Sequence, residues 1–153
     1  METRDPPSLL NKVITPPLLL VGGVSAVLWF IYRVAFLYKN ISESMVVFDK
    51  GSYYMLGVGI GLLTLAFVTL KEFWGGNPIT KKQNHILTKL AISGLALLFI
   101  VPHAAHFFAN KHLVTHGYSV CEDASHQWLF VRDIVYIQPS IECSAELKNE
   151  ITK

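Results

Sequence analysis

The chain has 153 residues, 52% of them hydrophobic and only 16% charged, against a charged share of about 25% in soluble domains. A formal net charge of +2 is too small for a nucleic-acid-binding surface. The apolar excess is gathered in long blocks, which argues against a large water-soluble core and for a bilayer as the chain's main surroundings.

Residues 1–15 are polar and lead to Pro16 and Pro17, which suit the first turn of a helix because their missing N–H groups would have no partner there. The first predicted span covers 17–38. Gly22, Gly23, Ser25 and Ala26 form a small-residue patch, with Gly22 and Ala26 spaced for helix packing. Trp29, Tyr32, Phe36 and Tyr38 crowd its second half and mark the membrane exit. Arg33 lies close enough to that end to snorkel, a functional intramembrane charge being the sharper alternative. The block is longer than a signal-peptide core and lacks a small-residue cleavage site, so it reads as a retained anchor.

A short mixed loop, 39–52, precedes the second predicted span, 53–70, which opens on Tyr53 and Tyr54 and carries no charge. Gly57 and Gly61 fall on one helix face, the spacing that admits another helix closely, within this chain's own bundle or from a different protein. The run GVGIG is no nucleotide loop, because it lies inside an apolar span with no strand before it. Loop 71–85 turns at Gly75-Gly76-Asn77-Pro78. The third predicted span covers 86–108, with Pro102 expected to kink it near its far end.

The predicted organisation is therefore a mainly α-helical membrane protein: a three-span bundle over 1–108 and a small tail over 109–153. Arg4, Lys12, Lys71, Lys81, Lys82 and Lys89 lie on the side of the N-terminus and second loop, against Lys39, Lys50, Lys111 and the interfacial Arg33 on the other. That bias places the N-terminus in the cytoplasm and the tail outside. The two cysteines, Cys121 and Cys143, both lie in the tail, where an oxidising compartment would pair them; two free structural thiols are the alternative. Segments 117–121 and 128–138 are rich in β-branched and aromatic residues, fitting a hairpin or a three-strand meander. Such a pair is marginal alone and would lean on the membrane surface or the loop-one segment.

Five of the six histidines fall at this end. His103/His106 and His112/His116 have spacings that put two imidazoles on one helix face, as metal sites do. Without an accompanying carboxylate or thiolate, interfacial or capping roles are the plainer reading, and no metal or other cofactor is called for. No nucleophile elbow, phosphate loop or intramembrane acidic pair is present, so an enzyme is not expected.

The run GYSVC after the last span, with a second cysteine beyond, resembles a group of short three-span inner-membrane proteins of enteric-type bacteria that carry Gly-Tyr-x-x-Cys and another Cys some twenty residues later. Here those residues are Gly117, Tyr118, Cys121 and Cys143. Some members of that group look like immunity proteins against membrane-targeting toxins. The resemblance implies an inner-membrane binding protein that neutralises such a toxin, with Tyr118, Trp128 and Tyr136 as candidate aromatic anchors. An accessory subunit of a transporter or respiratory complex is the alternative. The expected partners are the lipid bilayer and a cognate toxin or larger membrane subunit.

Overall fold

In the computed structural model, which describes residues 9–76, 78–128 and 131–147, the first helix, α1, runs over Leu9–Asn40. It starts two turns before the prolines rather than at them. Pro16 cannot donate to the carbonyl of Lys12 four residues back, and the Trp74 indole Nε1 donates to that carbonyl instead, at 3.0 Å. After α1 come β1 (Met45–Asp49), the single turn α2 (Lys50–Tyr53) and α3 (Met55–Thr69), which runs into a π-helical turn over Leu70–Trp74. Helix α4 (Lys81–Thr115) is followed by β2 (Ser119–Trp128) and β3 (Val131–Ile137).

Three stretches, Lys12–Asn40, Lys50–Trp74 and Lys81–Thr115, are long and apolar enough to cross a membrane. Their outer faces carry large exposed apolar side chains, among them Leu18 (68%), Leu65 (53%) and Ile92 (62%), as lipid-facing helices must. Helix α4 starts earlier than predicted because Thr80 and Gln83 form a reciprocal capping box. It also ends later. Its 35 residues span about 52 Å at 1.5 Å per residue, against roughly 30 Å of hydrocarbon, so the helix is longer than a perpendicular crossing needs. The helix runs unbroken through Pro102, which is fully buried.

Gly117 ends α4. With φ +86° it occupies the left-handed position that glycine reaches without a Cβ penalty. Its N–H donates to Val114 O at 3.1 Å and that of Tyr118 to Leu113 O at 3.1 Å. This double closure turns the chain back toward the helices.

The strands form one antiparallel sheet in the order β1-β3-β2. The tail supplies a hairpin, and the third strand comes from the loop between the first two long helices; among the described residues the tail forms no three-strand meander of its own. Loop one and the tail therefore lie at the same end of the bundle. Side-chain alternation divides the sheet's faces. Val46, Phe48, Ile134 and Tyr136 pack with Tyr53, Ala109 and Leu113 from the helices, while Cys121, Val135 and Ile137 meet Ile141 and Leu147 of the closing segment. The Cys121–Cys143 disulfide ties that segment over the second face. A bulge in β2 between Cys121 and His126 is filled by Ser125, whose hydroxyl donates to Cys121 O at 2.7 Å and accepts from Val135 N at 3.1 Å.

Candidate functional site

The chemistry gathers where α1 reaches the sheet. Trp29 and Arg33 lie one helical turn apart, and Asp49 and Ser52 are three residues apart at the start of α2, so the two pairs meet. Asp49 caps α2, accepting from Ser52 N at 3.2 Å and from the Ser52 hydroxyl. The Trp29 indole Nε1 donates to Ser52 Oγ at 3.0 Å. Arg33 Nη2 lies 3.0 Å from Asp49 Oδ2, with both side chains about one-fifth exposed, and its guanidinium also stands 5.6 Å from the Phe36 ring centre. Arg33 is thus paired with a carboxylate from the neighbouring loop.

Asp133 stands directly opposite Asp49 in the ladder, and His126 opposite Asp133 on its other side. Residues facing each other across antiparallel strands share a face, and like charges there repel. Burial and then the Asp49 carboxylate raise the Asp133 pKa above the usual carboxylate value, while Arg33 and His126 pull the other way. The pair borders a cleft of about 330 Å³ between α1 and the free edge of β1, lined also by Arg33, Phe36, Asn40 and Glu43. Three carboxylates around one guanidinium make this cleft suited to a cationic group such as a lysine or arginine side chain.

The residues singled out in the sequence fall elsewhere. Tyr118 and Tyr136 are 7% and 0% exposed and face inward. The Tyr118 hydroxyl donates to Glu43 O at 2.7 Å and accepts from Gln138 Nε2 at 3.0 Å. That of Tyr136 donates to Asn110 Oδ1 at 3.1 Å. Both hold the sheet to the helix ends, so neither is available to a partner as an anchor while the sheet is closed. The Trp128 side chain lies outside the described residues. Of the Gly-Tyr-x-x-Cys run, Gly117 stops a helix, Tyr118 is core and Cys121 is cross-linked.

Among the glycines of α3, the close approaches are Gly57 to α4 and Gly59 to α1. A Cβ on Gly57 would lie 2.6 Å from Gly94 O and from the Leu98 Cα, and one on Gly59 would lie 3.1 Å from Gly23 O. Two residues advance a helix by about 200°, which is why alternate glycines of GVGIG serve opposite neighbours. Gly61 has nothing within 4 Å of its Cβ position, and Gly22 meets only the Leu62 side chain at 3.5 Å. Ala26 is buried. The span's buried hydroxyl, on Thr64, donates to Ile60 O at 2.7 Å within its own helix.

The histidines do not converge. His103 Nδ1 lies 2.8 Å from Phe99 O, His106 packs 5.7 Å from the Phe48 ring, and His116 Nδ1 caps His112 O at 2.7 Å while the two rings of that pair lie tilted with centres 4.2 Å apart. Among the described residues no three His, Cys, Asp or Glu side chains come close enough to hold a metal ion.

Sequence reasoning passed over Glu43, Asp49, Ser52 and Asp133. The available signal was the matched spacing, Trp29 with Arg33 and Asp49 with Ser52, which puts two donors beside a helix cap. No curated protein and no solved structure matches the chain. A family model described as a protein of unknown function, DUF1240, matches residues 46–138, from β1 to the residue after β3, and the chain belongs to that family.

Proposed function

We propose that this protein is a membrane-anchored binding protein of the bacterial inner membrane, most simply an immunity protein that neutralises a membrane-targeting toxin. The observation that carries the reading is the acidic cleft of Glu43, Asp49 and Asp133 at the end of α1. It opens where the aromatic belt places the membrane boundary, so a basic side chain of a toxin entering the bilayer would meet it there.

In this reading the N-terminus is cytoplasmic and the sheet periplasmic. Support comes from the disulfide, which belongs to oxidising compartments, and from Lys12, Lys71, Lys81, Lys82 and Lys89 at the opposite end. The test is to look for a toxin gene beside this one and to measure survival of cells that express it. The intact chain should rescue them, and the double variant Glu43→Gln, Asp133→Asn should rescue poorly at equal membrane abundance. No rescue by the intact chain sinks the immunity reading.

A second reading, an accessory subunit of a larger membrane complex, is favoured by the groove of about 280 Å³ that Gly61 opens on, floored by Gly57, Ala91 and Gly94. Small residues let a foreign helix approach closely. It predicts co-purification with larger subunits in the absence of toxin, lost in Gly61→Leu.

A further inference from the structure

A second cleft, of about 600 Å³, has the opposite character to the acidic one. Lys50, His103 and Arg132 line it together with Gln127, and among the described residues no carboxylate does; Leu98 and Phe99 form its lower wall. The residues are sorted by height. Lys50 opens the second candidate span and Leu98 and Phe99 lie within the third, while Arg132 and Gln127 come from the sheet above. Phe99 is 58% exposed on a face that meets lipid. His103 Nδ1 lies 2.8 Å from Phe99 O; a carbonyl only accepts, so this nitrogen carries a proton, and Nε2 donates to an anion only when the ring is doubly protonated. Arg132 also pairs with Glu122 at 2.6 Å, but the Glu122 side chain is 71% exposed. An exposed pair is weak and leaves further guanidinium donors for a phosphate.

Cations above an apolar, lipid-facing wall are the arrangement that takes a phosphate ester with an acyl chain attached. We infer that this cleft binds the phosphate of an anionic phospholipid in the leaflet on the sheet side, with the acyl chains lying along Leu98 and Phe99. The headgroup then bridges α2, α4 and β3 and docks the sheet onto the bilayer.

The test uses the intact protein in neutral detergent micelles, with thermal unfolding followed as phosphatidylglycerol, phosphatidylcholine or inorganic phosphate is added. Phosphatidylglycerol should stabilise at about tenfold lower concentration than phosphatidylcholine. Lys50→Gln and Arg132→Gln should each weaken that response about fivefold, the effect of roughly 1 kcal/mol per cation near an anionic surface. Lys111→Gln, an exposed cation at the same end but outside the cleft, should leave it unchanged. An equal response to the two lipids, or variants that respond as the intact chain does, overturns the proposal. Inorganic phosphate acting as well as phosphatidylglycerol assigns the cleft to free phosphate and overturns the lipid assignment.

Discussion

The two halves of this molecule are held together by different forces. At the sheet end, large side chains are packed away from water on both faces of three strands, and Phe48, Leu113 and Tyr136 are among the fully buried ones. In the span bundle the contacts are backbone against backbone: Gly57 under Gly94 and Leu98, Gly59 against Gly23. Lipid tails are as apolar as leucine, so burying a leucine between spans brings little; close approach and dispersion must do the holding. A substitution that removes volume should therefore hurt the sheet end, and one that adds volume should hurt the bundle.

The largest effect is expected from Tyr136→Ala. It opens a cavity under β3 and leaves Asn110 Oδ1 without its donor. Aromatic-to-alanine changes in a core cost about 3–5 kcal/mol, and protease sensitivity of the sheet in the detergent-solubilised protein reads the loss. Replacing Cys121 and Cys143 together by alanine comes next. The bridge closes a loop of sequence separation 22, which in the chain-entropy model constrains the unfolded chain by about 3 kcal/mol. Thermal unfolding should show the sheet melting earlier while the helical signal of the spans persists. Loss of both together would mean the two halves fold as one unit.

The bundle is probed by adding atoms. Gly57→Ala puts a methyl group into the backbone of α4, where nothing flexible can yield, and overpacking of this kind costs about 1–3 kcal/mol. Gly61→Ala, one turn away on the same helix, meets open space and should change stability by less than about 0.5 kcal/mol. Equal effects at the two positions, measured by unfolding in detergent, would remove the argument that close approach holds α3 to α4.

The same division explains what could be read before the fold was known. The three spans announce themselves because lipid imposes continuous apolar runs, and two cysteines in one tail leave one intramolecular pairing. The strand Met45–Asp49 does not, since five residues in a mixed loop acquire their conformation only by pairing with Val131–Ile137. The last turns of α4 escape notice because Asn110, Lys111 and His112 interrupt the apolar run, yet Ala109 and Leu113 carry the helix onto the sheet. Tyr118 and Tyr136 read as surface anchors because alternation shows that two faces exist without saying which is covered. Pro16 misleads for a similar reason: the group that repairs its missing bond, Trp74, is 62 residues from the carbonyl it meets.

The smallest expected effect concerns the acidic pair and has a definite sign. The Asp133 pKa is raised in the folded chain above the ordinary aspartate value, so its protonated form is the one the fold favours. Its stabilising contribution is complete below that value and is lost as pH rises through the folded pKa. Asp133→Asn keeps the shape without the charge, and should be more stable than the parent chain at pH 7. Both carboxylates keep some contact with solvent, which screens the repulsion, so the gain should stay under about 1 kcal/mol. The gap should close on acidification toward pH 4 as the parent takes up its proton, which thermal melts at several pH values would follow. A variant less stable than its parent at neutral pH would mean the carboxylate is held by attraction rather than opposed by Asp49. If the repulsion is real, a basic side chain entering the cleft relieves it, and the parent chain gains more from that partner than Asp133→Asn does.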